Sequence, residues 1–149
     1  MRELTIDGRR IADDTPCFVI AEIGHNHQGK LDKARELFRE GKLAGGHAVK
    51  LQKRDNRGLY TRAAYNKPYD NENSFGATYG EHREFLEFGM TEYRELQRYG
   101  AELGVDFFAT AFDMASADFL GDLDMPAYKI ASGDVKSIPL LKHVATFGK

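Results

Sequence analysis

Apolar and polar positions follow two alternating rhythms along this 149-residue chain. Leu4 and Ile6 stand before Asp7-Gly8, a favoured two-residue turn, and Ile11 after it, so residues 3–11 are predicted to form a β-hairpin. CFVIAEIG (17–24) is a short apolar run, as expected of a strand buried on both faces. Leu31, Ala34, Leu37, Phe38 and Gly41 then recur at helical spacing, which predicts an amphipathic helix over 31–44 ended by Gly45-Gly46. AVKLQK (48–53) is the second strand. Residues 54–80 are polar and lack a period, a long loop of the kind that is usually functional. Tyr93, Leu96, Tyr99, Gly100 and Leu103 predict a helix over 91–103 with Thr91 as its cap. DFFATAF (106–112) is a third strand, SADFLGDL (116–123) a short helix and AYKIASG (127–133) a fourth strand. Pro139 opens a last helix, with Leu140, Leu141, Val144 and Phe147 as its stripe and Gly148 placed to end it.

A hairpin followed by four β/α units implies an α/β fold with a parallel sheet flanked by helices. An open doubly wound sheet and a β/α (TIM-type) barrel both satisfy that order. A complete barrel takes eight units and about 250 residues. Four units would be half of one, leaving residues 1–149 as a single partial barrel domain: hairpin 1–15, units one to four 16–149.

Composition narrows the class. Hydrophobic residues make up 42% and charged residues 30%, which suits a folded globule. The net charge is −2 with no basic block, which argues against a nucleic-acid binder. No run approaches the roughly 20 apolar residues of a membrane helix. Residues 1–12 are polar, unlike a signal peptide. Cys17 is the only cysteine, so no internal disulfide can form, and a reducing cytoplasmic setting is expected.

In β/α folds ligands bind at the carboxyl ends of the strands, and each predicted strand places polar groups there. Glu22 ends the first. Lys50 and Gln52 lie two apart on the second, hence on one face. Thr110 lies on the third, Lys129 on the fourth, and Ser132 and Asp134 in the turn after it. Each has a plain structural reading as well: a snorkelling lysine, a β-branched strand residue, turn formers. Together, two lysines with hydroxyls and turn amides make an anion site. No GxGxxG or GxxxxGK[ST] pattern points to a dinucleotide or nucleoside triphosphate.

These motifs resemble the sialic acid synthase family: EIGxNHxG after the first strand, VKxQ on the second, TAF on the third and PAYKIASGD on the fourth, over about 16–149. The resemblance implies a β/α barrel, of which this chain matches the first half and not the second half or the following antifreeze-like domain. It implies condensation of phosphoenolpyruvate with an N-acetylated amino sugar, possible as a sugar phosphate, to give a nonulosonic acid. Carbon 3 of phosphoenolpyruvate attacks the open-chain aldehyde, water adds at carbon 2, and phosphate leaves by C–O cleavage. Lys50, Thr110, Lys129 and Ser132 match positions that hold phosphoenolpyruvate. Glu22 and Gln52 match positions facing the sugar and the reacting centre. Asp134 matches an acidic position where some members have Glu, so Glu22, Lys50, Lys129 and Asp134 are the expected catalytic set.

The family's divalent metal, manganese or magnesium, is implied to bind histidines outside this chain, so none is expected on these residues and little activity from them alone. A homo-oligomer is expected. His25 and His27, in GHNHQG, lie two apart in a loop with no supporting cluster, which speaks for bracing of the loop by Asn26 and His27 and against a metal site. Two other readings stay open: a Schiff-base pyruvate aldolase using Lys50 or Lys129, and a non-catalytic binding or assembly module. Tyr60, Tyr65, Tyr69, Phe75 and Tyr79 make loop 54–80 a candidate lid or sugar contact.

Overall fold

The computed structural model describes residues 2–149. The hairpin forms as expected, from β1 (Glu3–Ile6) and β2 (Arg9–Ala12), and stands as its own two-stranded sheet. Its turn residues Asp7 and Gly8 both have positive φ, 48° and 75°, which matches the twist of a tight hairpin. A second sheet contains four parallel strands: β3 (Ile20–Gly24), β4 (Ala48–Lys53), β5 (Asp106–Ala111) and β6 (Tyr128–Ile130), side by side in chain order. Between β3 and β4 lies α1 (Leu31–Leu43). The β4–β5 connection contains α2 (Asn56–Leu59), α3 (Arg62–Tyr65), α4 (Tyr79–Phe85) and α5 (Met90–Leu103). After β5 comes α6 (Met114–Gly121), and after β6 a single 3₁₀ turn (Ser132–Asp134) and α7 (Ile138–Ala145).

The two faces of this sheet differ in chemistry because successive strand side chains point opposite ways. Val49, Leu51, Phe107 and Ala109 face the helices and are buried with Phe38 of α1, Tyr93 and Leu96 of α5 and Leu120 of α6. Phe38 and Phe107 stack at a tilt, 5.0 Å between centroids. Lys50, Gln52, Phe108 and Thr110 occupy the alternate positions and define the other face.

Several expectations are corrected. The first strand is an edge strand: Val19 is 46% and Ile20 40% exposed, because no neighbour covers its outer side. Loop 54–80 holds two one-turn helices, and α4 follows with a capping box in which Thr78 accepts from the Glu81 N–H and Glu81 from the Thr78 N–H. Gly89, not Thr91, caps α5, with its N–H bonded to the Glu92 carboxylate at 3.0 Å. Asp113 starts α6 two residues early by accepting from the Ser116 N–H at 2.7 Å. The sheet is open among the described residues, with no closed barrel.

Candidate active site

Register decides which side chains meet. Glu22 is the Cα partner of Lys50, and Gln52, Thr110 and Lys129 are partners across three strands. In a parallel sheet such partners share a face, so Glu22, Lys50, Gln52, Thr110 and Lys129 gather on the face away from the helices. A register shift between Glu22 and Gly24 makes Ile23 an extra residue, a bulge at the end of β3. Gly24 sits there at φ 56°, and a Cβ on it would lie 3.3 Å from both the Glu22 carboxylate and the Gln52 amide. Glycine thus leaves room for the two side chains to meet.

Lys50 is buried, 7% exposed, and its ammonium is ion-paired with the Glu22 carboxylate. Burial, then the charge of Lys129, pushes the Lys50 pKa down. Glu22 departs from the expectation of a strand buried on both faces: its side chain is 48% exposed and rests on Lys50. Gln52 donates to Glu22 at 3.5 Å. Thr110 is 2% exposed, Lys129 half-buried, Asp134 half-buried and Ser132 exposed in the turn beyond β6. The five strand residues therefore form one group, and Ser132 and Asp134 stand at its margin.

The histidine loop is built differently from a metal site. His27 is buried, stacks on Phe88 at 4.1 Å and accepts the Gly29 N–H on Nδ1 at 3.1 Å. Burial, with His25 nearby, lowers its pKa to about 4. Asn26 is exposed and its N–H caps the turn onto Ile23, so its brace is main-chain only. His25 points elsewhere: Nε2 lies 3.4 Å from the Glu87 carboxylate, and Nδ1 receives Arg83 at 3.0 Å and Arg54 at 3.4 Å. Burial is the main cause that holds the His25 pKa below its usual value. With Nδ1 of each ring already bonded, the pair does not fit a divalent cation, and among the described residues no three His, Cys, Asp or Glu side chains are placed to ligate one.

Arg54, Arg83 and Glu87 were not singled out by sequence reasoning, and His25 was read only as half of a doubtful metal pair. The signal was present for Arg54, which continues the polar alternation Lys50–Gln52 past the end of β4. It donates to Gln52 at 2.7 Å and lies over Phe112 at 3.7 Å. The aromatic residues of the β4–β5 connection mostly pack on one another: Tyr60 on Tyr79, Tyr69 on Tyr79, Phe75 on Phe85. Tyr60, Ala64, Lys67, Tyr69 and Tyr79 line a cavity of about 310 Å³.

Comparison with known proteins agrees with this arrangement. The NeuB family model matches residues 37–149. N-acetylneuraminate-9-phosphate synthase of Homo sapiens is 43% identical over 142 residues, covering 95% of this chain and 40% of the relative. The protein of the same name from Drosophila melanogaster is 47% identical over 128 residues, 86% of this chain and 34% of its own length. The crystal structure of the N-acetylneuraminic acid (sialic acid) synthetase from Leptospira borgpetersenii serovar Hardjo-bovis, in complex with citrate, superposes with a TM-score of 0.80 at 29% identity, over 99% of this chain and 47% of that one. The chain thus spans about 40% of the length of curated relatives it matches, and it belongs to the NeuB family.

Proposed function

We propose that these residues form the enolpyruvate-binding half of a β/α-barrel synthase that joins phosphoenolpyruvate to an N-acetylated amino sugar. The observation that carries the reading is the meeting of Lys50, Lys129 and Thr110 on one sheet face, with Glu22 beside them. Two ammonium groups and a hydroxyl suit a ligand with a carboxylate and a phosphate, and Ser132 adds a donor at the rim. Held there, the enolpyruvate would present carbon 3 toward Glu22 and Gln52, where the sugar aldehyde sits.

The Glu22–Lys50 ion pair gives the free protein a resting arrangement. An anionic ligand arriving at Lys50 competes with Glu22 for the ammonium. Glu22, half-exposed and released, is then placed to exchange a proton with the water that adds at carbon 2. Asp134, one turn past β6, is the second acid. A divalent cation would supply Lewis acidity at the aldehyde oxygen. The described residues offer it no ligand set. The 149 residues by themselves are proposed to bind phosphoenolpyruvate without turnover.

Isothermal titration calorimetry tests this. Phosphoenolpyruvate should bind the chain, and Lys129→Ala should weaken binding by about tenfold or more, the worth of one charge-assisted contact. Equal binding by the variant would remove the site from β6.

One observation favours a second chemistry. A buried lysine with lowered pKa beside another cation is also the setting of a Schiff-base nucleophile. Borohydride with pyruvate should leave the mass unchanged under the synthase reading. A stable pyruvyl adduct on Lys50 would establish the aldolase instead.

A further inference from the structure

The β4–β5 connection contains a loop that closes on itself. Pro68 and Thr78 form an antiparallel bridge, with the Tyr69 N–H bonded to the Ala77 carbonyl at 3.0 Å and the Tyr79 N–H to the Lys67 carbonyl at 2.9 Å. Beyond this neck the Ser74 hydroxyl donates to the Tyr69 carbonyl at 2.7 Å, and the Asn71 side chain accepts the Asn73 N–H at 2.9 Å. A segment with joined ends and its own internal bonds is an Ω-loop, a unit that can move whole.

The loop rests on one face of α4, where Tyr79, His82 and Phe85 recur at helical spacing. Tyr69 packs on Tyr79 at 5.4 Å and on His82 at 4.6 Å. Phe75 stacks on His82 at 5.7 Å and on Phe85 at 4.7 Å. Gly76 lets the main chain come close, since a Cβ there would stand 2.6 Å from Glu81 Cβ. Two polar contacts join the surfaces: the Ala77 N–H donates to the Glu81 carboxylate at 2.9 Å, and the Phe75 N–H to His82 Nδ1 at 3.3 Å.

His82 is the centre of that face, 7% exposed. To accept the Phe75 N–H, Nδ1 must carry no proton, so the ring is neutral with its proton on Nε2. Protonation turns Nδ1 into a donor facing another donor. Burial opposes the charge first, then Arg83 of α4 and His25 after β3, and together they lower the His82 pKa. The rings of Tyr69 and Tyr79 complete the surroundings. The Glu81 carboxylate is already bonded to the Ala77 and Thr78 N–H groups, and Asp70 and Glu72 of the loop are exposed. Stacking on Tyr69 and Phe75 favours a charged ring slightly, which does not reverse the direction.

We propose that residues 68–78 are a lid latched on α4 by neutral His82, and that protonation of this ring frees the lid and opens the tyrosine-lined cavity at its neck. Lys67 and Tyr69 supply one wall of that cavity, and Tyr60, Ala64 and Tyr79 the other, so lifting Tyr69 from α4 separates the walls. The next residue of α4, Arg83, reaches His25 beside the candidate site, so lid and site share one turn of helix. The latch stands on packing and hydrogen bonds within this connection and is independent of the synthase reading.

Amide exchange followed by NMR on the 149-residue chain tests it at pH 7.5 and pH 5.5. The Phe75 and Ala77 amides report the lid, and those of Val49 and Phe107 the sheet. Lid amides should be less protected than sheet amides at both pH values, because the lid opens by itself. Below 6.5, the ordinary value of the ring, the open form takes up a proton that the latched form refuses. Lid protection should therefore fall about three- to tenfold at the lower pH. His82→Phe keeps the stack without the titration and should abolish the fall. Gly76→Ala forces the loop off Glu81, so Phe75 and Ala77 should exchange fast already at pH 7.5 with Val49 still protected. In that variant the His82 ring should titrate closer to 6.5 than in the unaltered chain. Lid protection that is equal at the two pH values overturns the proposal, as do lid amides that open only with the sheet. A fall that persists in His82→Phe would assign the effect to His25 and also overturn it. Should His82→Phe not fold, Gly76→Ala decides: the same His82 midpoint with and without that substitution sinks the latch.

Discussion

His27 is a buried ring that the fold keeps neutral, and that has a cost in acid. Its folded pKa of about 4 lies below the unfolded value of 6.5. Below pH 6.5 the unfolded chain takes up a proton that the folded chain refuses, so stability falls from there down to about pH 4 and levels off beneath it. The loss should amount to about 2 kcal/mol between pH 7 and pH 5. The lowered pKa values of His25 and His82 act in the same direction. Denaturant melts at the two pH values measure it. His27→Leu should flatten the difference, and an unchanged difference would show that another group carries it. The residue scale is also where the sequence was most informative about chemistry. Glu22, Lys50, Gln52, Thr110 and Lys129 were readable as polar groups in apolar strands, and the structure gathers all five. Their burial was less readable. Whether a carboxylate in VIAEIG is enclosed depends on a neighbour to β3, and no local pattern records that. Arg83 was out of reach for another reason: it meets His25 across 58 residues, through a helix that the polar composition of the connection concealed.

At the scale of elements, strands and the longer helices were legible because the sheet and helix periods are so different. The errors fall where one side chain decides a boundary. Asp113 is the clearest. Its Oδ1 caps α6 by accepting the Ser116 N–H, and its Oδ2 accepts both the Ser116 hydroxyl and the Asp55 N–H, the latter at 2.8 Å. One carboxylate therefore starts a helix and ties together the connections that leave β4 and β5. Asp113→Ala should cost about 1–2 kcal/mol. Amide exchange should speed up at Asp55 as well as at Ser116. Faster exchange at Ser116 alone would mean that the tie between the two connections has no weight. The one-turn helices α2 and α3 had no period to detect, but Thr78–Glu81 is a capping box legible without coordinates.

For the whole molecule, the sheet ends matter most. Among the described residues β3 and β6 each lack a strand partner on one side, and apolar side chains lie exposed near both: Val19 and Ile20 at one end, Val135 at 61% and Ile138 at 53% at the other. Unpaired edges with apolar neighbours recruit further strands. The 149-residue chain should associate as its concentration rises, and Ile20→Lys should shift light scattering back toward the monomer. A concentrated solution that stays monomeric without the substitution would count against an edge-driven contact.

The strand order β3-β4-β5-β6 repeats the order of the sequence, and this bears on how the chain acquires its shape. Every strand docks on the one made just before it, although the β4–β5 connection, with four helices, is longer than the others. No late segment must thread between two earlier ones. Growth can therefore proceed in one direction as a polypeptide emerges, with the most recent strand always serving as the template for the next. Among the described residues β4 and β5 are the strands flanked on both sides, so pulse-labelled hydrogen exchange during refolding should protect Val49, Leu51, Phe107 and Ala109 first. Protection that begins in β3 or β6 would point to a different route.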